Sequence, residues 1–222
     1  MGGYEHLIPF GIFGFFGAIV AVAIGWHYYS EKKRREAMAD AAYHLGLEFS
    51  PDASFLETGE FARFQVFNEG HSRKFKNVIK GEVSKRPVNI FDYQYTTGGG
   101  KNSTTHRATM AVFTLPKGDM PQFELRPEHI FHKIGAVFGY QDIDFDTHPE
   151  FSKTYLLRGK SEQDVRGLFR MDVLYHFESH PGWSVEGVGQ WMVIYRANKR
   201  VDPEQLRAFV DDTQGIVSVF PL

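Results

Sequence analysis

The chain has no cysteine in its 222 residues. That excludes a disulfide framework, a thiolate-held zinc or iron–sulfur site and a thiol nucleophile, and it suits a reducing compartment. Strong charge of one sign is also missing: the formal net charge is −2, so electrostatics argue against a nucleic-acid partner. There is no Gly-x-Ser-x-Gly nucleophile elbow, no repeat of fixed period and no long low-complexity linker. Long apolar runs are confined to one, and no Lys or Arg precedes it.

That run is residues 8–24, IPFGIFGFFGAIVAVAI. With Leu7 before it and the rings of Trp26, Tyr28 and Tyr29 after it, it matches a hydrocarbon core of about 30 Å at about 1.5 Å per residue. A cleaved signal peptide would place positive charge before the run and a small-residue cleavage site after it. Here Lys32, Lys33, Arg34 and Arg35 follow instead. The pattern predicts a retained transmembrane anchor over 1–30 in a bacterial inner membrane, with the N-terminus outside and the remainder in the cytoplasm. Residues 31–46 read as a juxtamembrane helix ending at Gly46. Within the anchor, Gly14, Gly17, Ala18, Ala21 and Gly25 make a narrow strip of small residues, on which a second membrane helix can pack closely.

The chain holds 21 Phe and is 42% hydrophobic, which gives residues 47–222 enough apolar material for a core rather than disorder. The expected class is α+β, with antiparallel sheets, packed helices and a possible division into two sub-domains near 140–153. LGLEFSP reads as a short strand and SFLETGEFARFQVF as a helix. FKNVIKGEV, RPVNIFDYQYTT and THRATMAVFTLP read as a three-stranded meander. A helix over PEHIFHKIGAVFG, opened by Pro127, and an alternating strand YQDIDFD should follow. The last third predicts a strand KTYLLRG, a long helix capped by Ser161, a hairpin around Val188 and Gly189, and a final helix opened by Asp202 and Pro203.

Several constellations invite a chemical reading. Thr96 to Thr104, TTGGGKNST, suggests a phosphate loop, but Asn102 follows Lys101 where Ser or Thr is needed, Tyr95 replaces the first glycine and no helix follows, so a hairpin tip is expected. Asp142, Asp144 and Asp146, with His148, are the candidate metal ligands: strand alternation would put the carboxylates on one face. The same alternation is that of a half-buried strand, and the calcium-loop glycine is absent. His129 with His132, and His176 with His180, share helix faces, yet neither has the glutamate of a zinc protease at its proper offset. No catalytic residue and no cofactor is expected.

The order of parts resembles that of uncharacterised bacterial single-pass membrane proteins: an anchor, a basic junction, LGLEF after a helix, and the strand IFDYQYTT. In layout alone it is also similar to the H subunit of photosynthetic reaction centres, through the sequence YYSEKKRRE after a single N-outside helix; the likeness implies no quinone or proton-path residue here. The leading expectation is a non-enzymatic accessory or scaffold subunit docking on a larger membrane complex, photosynthetic or respiratory. Its partners would be other membrane subunits and lipid, not nucleic acid. The alternatives are a membrane-tethered enzyme or ligand sensor, and a module whose basic junction meets anionic lipid.

Overall fold

In the computed structural model, residues 7–51, 61–116, 120–128 and 141–221 are described, with side chains from residue 17 onward. The expected helix over 127–139, with His129 and His132, therefore lies mostly outside the described residues, as does the start of the one expected before Phe61. Pro127 itself ends a strand instead of opening a helix.

One helix, α1, runs unbroken over Leu7–His44, so the described parts of the two segments expected as anchor and juxtamembrane helix are a single rod of about 57 Å. It closes at Gly46, whose φ of +69° is the left-handed conformation that glycine adopts freely. Among the described residues no helix is long and apolar enough to cross a membrane. Residues 8–16, the first half of the apolar run, lie outside those with described side chains. Every residue from 17 to 30 is exposed, whereas Met38 and Ala42 are fully buried in the main core.

The strands are β1 (Glu48–Ser50), β2 (His71–Val83), β3 (Arg86–Thr97), β4 (Thr104–Thr114), β5 (Met120–Pro127), β6 (Tyr155–Gly159), β7 (Ser184–Gly189) and β8 (Trp191–Tyr195). They form one antiparallel sheet in the order β1-β2-β3-β4-β8-β7-β5-β6. The expected meander is β2 to β4, and the expected hairpin is β7 and β8. A division near 140–153 does not appear in the sheet, because β8 pairs with β4 and β7 with β5. These two strands join the early meander to the later β5–β6 pair.

The remaining helices are α2 (Pro149–Thr154), α3 (Glu162–Leu168), α4 (Met171–Ser179) and α5 (Leu206–Val219). The single long helix expected after Ser161 is broken between α3 and α4. Phe169 leaves helical geometry there, with ψ of 68°, and its buried ring packs edge-on against Phe123 and Phe220. Ser161 does cap α3, accepting the Asp164 N–H at 3.3 Å. The phenylalanines at 61, 64 and 67 do not form a helix face. They sit in a short 3₁₀ turn and the bends that follow: Phe61 and Phe67 pack against Phe91, Phe64 packs on both of them, and Phe67 also meets Tyr93.

Two cores result, one on each face of the sheet. The helices cover one face, and the 61–67 segment covers the aromatic face of β2, β3 and β4. Gly187 marks how tightly β7 and β5 approach: a Cβ there would run into the Met120 sulfur and the Phe123 ring. Gly187→Ala is expected to cost about 1–3 kcal/mol through overpacking. A lowered urea midpoint with an unchanged slope is the expected signature.

Candidate functional site

The residues that join α1 to the sheet form the most connected polar site. Glu31 and Arg34 lie one turn apart on the same side of the helix. Arg34 donates from Nε to Asp92 Oδ2 and from Nη2 to Asp92 Oδ1, both at 2.8 Å. This paired geometry is the strong form of an arginine–carboxylate contact. The Arg34 and Asp92 side chains are only 13% and 6% exposed. Of the four junction cations, Lys32, Lys33 and Arg35 are exposed, but Arg34 is turned onto the domain. The expectation that it faces the membrane interface is thereby corrected, because Asp92 offers it a buried counter-charge.

Asp92 is held from several directions. Thr109, its cross-strand partner on β4, donates its hydroxyl to Oδ1 at 2.8 Å, while the same Oγ1 accepts the Val201 N–H at 2.9 Å. Asn77 on β2 donates to Oδ2 at 2.9 Å. Its φ of +52° falls in the bulge between Lys76 and Ile79, and such a bulge re-aims a side chain out of the regular alternation. Arg200, following β8, reaches Asp92 Oδ2 at 3.2 Å and Glu31 Oε1 at 2.7 Å. Lys76 adds a contact to Glu31 Oε2 at 3.2 Å. Burial alone would push the Asp92 carboxyl up, but Arg34, Arg200 and Asn77 together hold it below the usual range. Glu31 is likewise lowered, with burial outweighed by Arg200 and Lys76.

A second charged cluster sits on the opposite face. Arg126 on β5 is 4% exposed and contacts Glu69 at 2.5 Å, Glu186 at 3.1 Å and also Glu124. Glu186 lies across the ladder from Glu124 and accepts the N–H groups of Gln65 at 2.6 Å and Val66 at 3.1 Å. It thereby ties the 61–67 segment to the sheet. Burial, with Glu124 and Glu69 nearby, pushes its carboxyl up to about 8 against the pull of Arg126. The adjoining cavity is about 20 Å³, bounded by Phe64, Gln65, Phe123, Arg158 and Glu186. That is room for about one water molecule, too little for a substrate.

The acidic segment after residue 140 is not a ladder strand. Asp142 Oδ1 accepts the Leu157 N–H at 3.0 Å, and the Ile143 N–H donates to the Leu157 carbonyl at 2.8 Å. This finishes the outer edge of β6. Burial raises the Asp142 carboxyl, helped by Asp144. The Asp144 carbonyl takes Arg166, Asp146 is exposed in a turn, and His148 meets Glu178 at 3.2 Å. Among the described residues no three metal-ligating groups converge. The alternation in the sequence is real, since Ile143 is buried and Phe145 packs on the core, but it serves edge covering. His176 and His180 stack at 4.8 Å at the end of α4, and burial lowers the His176 pKa.

The glycine-rich stretch is the β3–β4 connection. Gly98 and Gly100 have φ of +74° and +56°, and a Cβ on Gly98 would meet the Asn102 carbonyl, so the tip is a tight turn. On α1, Trp26, Tyr28 and Tyr29 are exposed. A Cβ added at Gly17 or Gly25 meets nothing, and Ala18 and Ala21 are equally exposed. This part of the small-residue strip therefore faces no other described part of the chain; the side chain at Gly14's position is outside the described set.

No protein-family model matches the chain, and no curated protein sequence does. Among solved structures, the crystal structure of the mycobacterial trehalose monomycolate transport factor A, TtfA, is similar with a TM-score of 0.58 and 13% identity, covering 85% of this chain and 95% of that one. At that identity the likeness is one of fold.

Proposed function

We propose that the protein is a non-enzymatic, single-pass scaffold subunit: the first half of α1 crosses the inner membrane and docks on a larger membrane assembly, and a clamp formed by Glu31, Arg34, Asp92 and Arg200 holds the α+β domain at a set angle on the cytoplasmic side. The observation that carries this reading is α1 itself, one helix whose second half is locked into the sheet while residues 17–30 stand clear. The apolar run over 8–24 supplies the length to span, and the small-residue strip supplies a face for a neighbour. A fold shared with a protein named as a transport factor fits a partner of membrane machinery better than it fits an isolated enzyme.

The test is gentle detergent extraction from the native membrane followed by native mass analysis. A co-purifying membrane subunit is expected, and Ala21→Leu should weaken its retention because a larger side chain fills the strip. The chain itself should stay folded and membrane-bound, since that face touches no other described part of it. A strictly monomeric protein with no membrane partner would overturn the docking role.

A further inference from the structure

Residues 70–81, 93–118 and 187–201 hold ten lysines and arginines and no aspartate or glutamate, in a chain whose formal net charge is −2. The fold gathers part of this excess at one end of the sheet, where β2 starts, β3 ends and β4 begins. The loop after β8 runs alongside: the Thr109 N–H donates to the Lys199 carbonyl at 3.1 Å, and His106 Nδ1 lies 2.9 Å from Asn198 Oδ1. Arg73, Lys74, Lys101, Arg107 and Lys199 are exposed here. Among the described residues none of the five is in an ion pair.

The direction in which this end points follows from the way α1 lies on the sheet. Leu47, just past the helix, packs where Gly81 comes close, while Glu31, far earlier on the helix, meets Lys76. Moving toward the N-terminus of α1 is thus moving toward the start of β2. From Asp92, level with Arg34, β3 continues to Thr97 over about 17 Å. That equals roughly eight to eleven residues of helix, depending on the crossing angle, and brings the β3–β4 tip level with residues 23–26. The exposed Trp26 is at that level, and the exposed Tyr28 and Tyr29 follow within about one helical turn.

We propose that this basic end of the sheet lies on the anionic headgroups of the leaflet that α1 enters, so that helix and domain contact the bilayer together. The inference rests on the anchor reading of α1. A lipid surface is favoured over an acidic protein because the cations are spread over β2, β4, the hairpin tip and a separate loop, along about the last 17 Å of this end of the sheet. They also continue the exposed charges Lys32, Lys33 and Arg35. Each such cation near an anionic surface adds to the attraction, and salt attenuates it.

The absence of native cysteine permits a clean test on the full chain. Asn102→Cys carrying a spin label is placed in nanodiscs of phosphatidylcholine alone and of phosphatidylcholine with phosphatidylglycerol. The label should lose accessibility to an aqueous relaxing agent only in the anionic discs, and high salt or the triple variant Lys74→Glu, Lys101→Glu, Arg107→Glu should abolish the loss. Equal accessibility in both discs, or no response to charge reversal, would overturn the proposal and leave an acidic protein face as the counterpart, with the anchor reading intact. Flotation of the same protein separates the two ideas. Binding to neutral vesicles supports the anchor, binding to anionic vesicles alone with loss in salt keeps the basic surface and removes the anchor, and binding to neither removes both.

Discussion

Arg126→Met is expected to destabilise the domain by on the order of 3–5 kcal/mol, the range for a buried ion pair stripped of one partner. The reason is the surplus of carboxylates: Glu69, Glu124 and Glu186 all converge on Arg126, and methionine would leave them facing one another in a site closed to water. Acid should recover part of the loss, because protonated carboxyls no longer repel. The native protein carries a milder form of the same tension. With its folded pKa raised to about 8, Glu186 contributes stability that is fully present below its unfolded pKa and is lost as pH rises through about 8. The urea midpoint should therefore fall as pH climbs across that window. Glu186→Gln, which keeps an acceptor for the Gln65 and Val66 N–H groups, should flatten the fall. Identical pH slopes for the native protein and this variant would refute the assignment.

Much of the architecture was legible because local chemistry and tertiary role agreed. The meander shows in alternation, the last hairpin in Val188-Gly189, and α3 in Ser161, each a signal that acts over a few residues. The failures arise where long-range packing overrode local pattern. Phe169 interrupts an otherwise continuous helical pattern because three rings in the core claim its side chain, and Phe61, Phe64 and Phe67 have helical spacing but are drawn onto the aromatic face of the sheet. The acidic alternation at 142–146 was visible but ambiguous, since a free ladder strand and an edge-covering segment need the same apolar residues.

The polar sites were harder to find for the same reason. Asp92 stands out within IFDYQYTT as a charge on the side opposite Phe91 and Tyr93, which hints at a buried counter-ion. Nothing local says that the counter-ion is Arg34, drawn from a run of four cations that reads as a membrane address. Arg126 and its carboxylates come from three separated segments, so their meeting depends wholly on the sheet order.

Asp92→Ala is expected to release α1 from the sheet and to cost on the order of 3–5 kcal/mol, because Arg34 and Arg200 would both lose their shared buried carboxylate. The distinctive effect is on geometry. With spin labels on His27→Cys and Thr104→Cys, both exposed in the native chain, the native clamp should give one narrow distance distribution and Asp92→Ala a broad one. Arg34→Lys should fall between them, since lysine keeps the charge but cannot form the paired contact. The pH response has the opposite sign to that of Glu186. Asp92 and Glu31 have folded pKa values below their ordinary ones, so their stabilisation is present above those ordinary values and is lost only as pH falls through the depressed folded ones. The distribution should stay narrow through mildly acidic pH and broaden only in strong acid. A distribution as narrow in Asp92→Ala as in the native chain would mean that Met38 and Ala42, packed in the core, fix the helix without the clamp. The polar network would then have no part in setting the angle between α1 and the sheet.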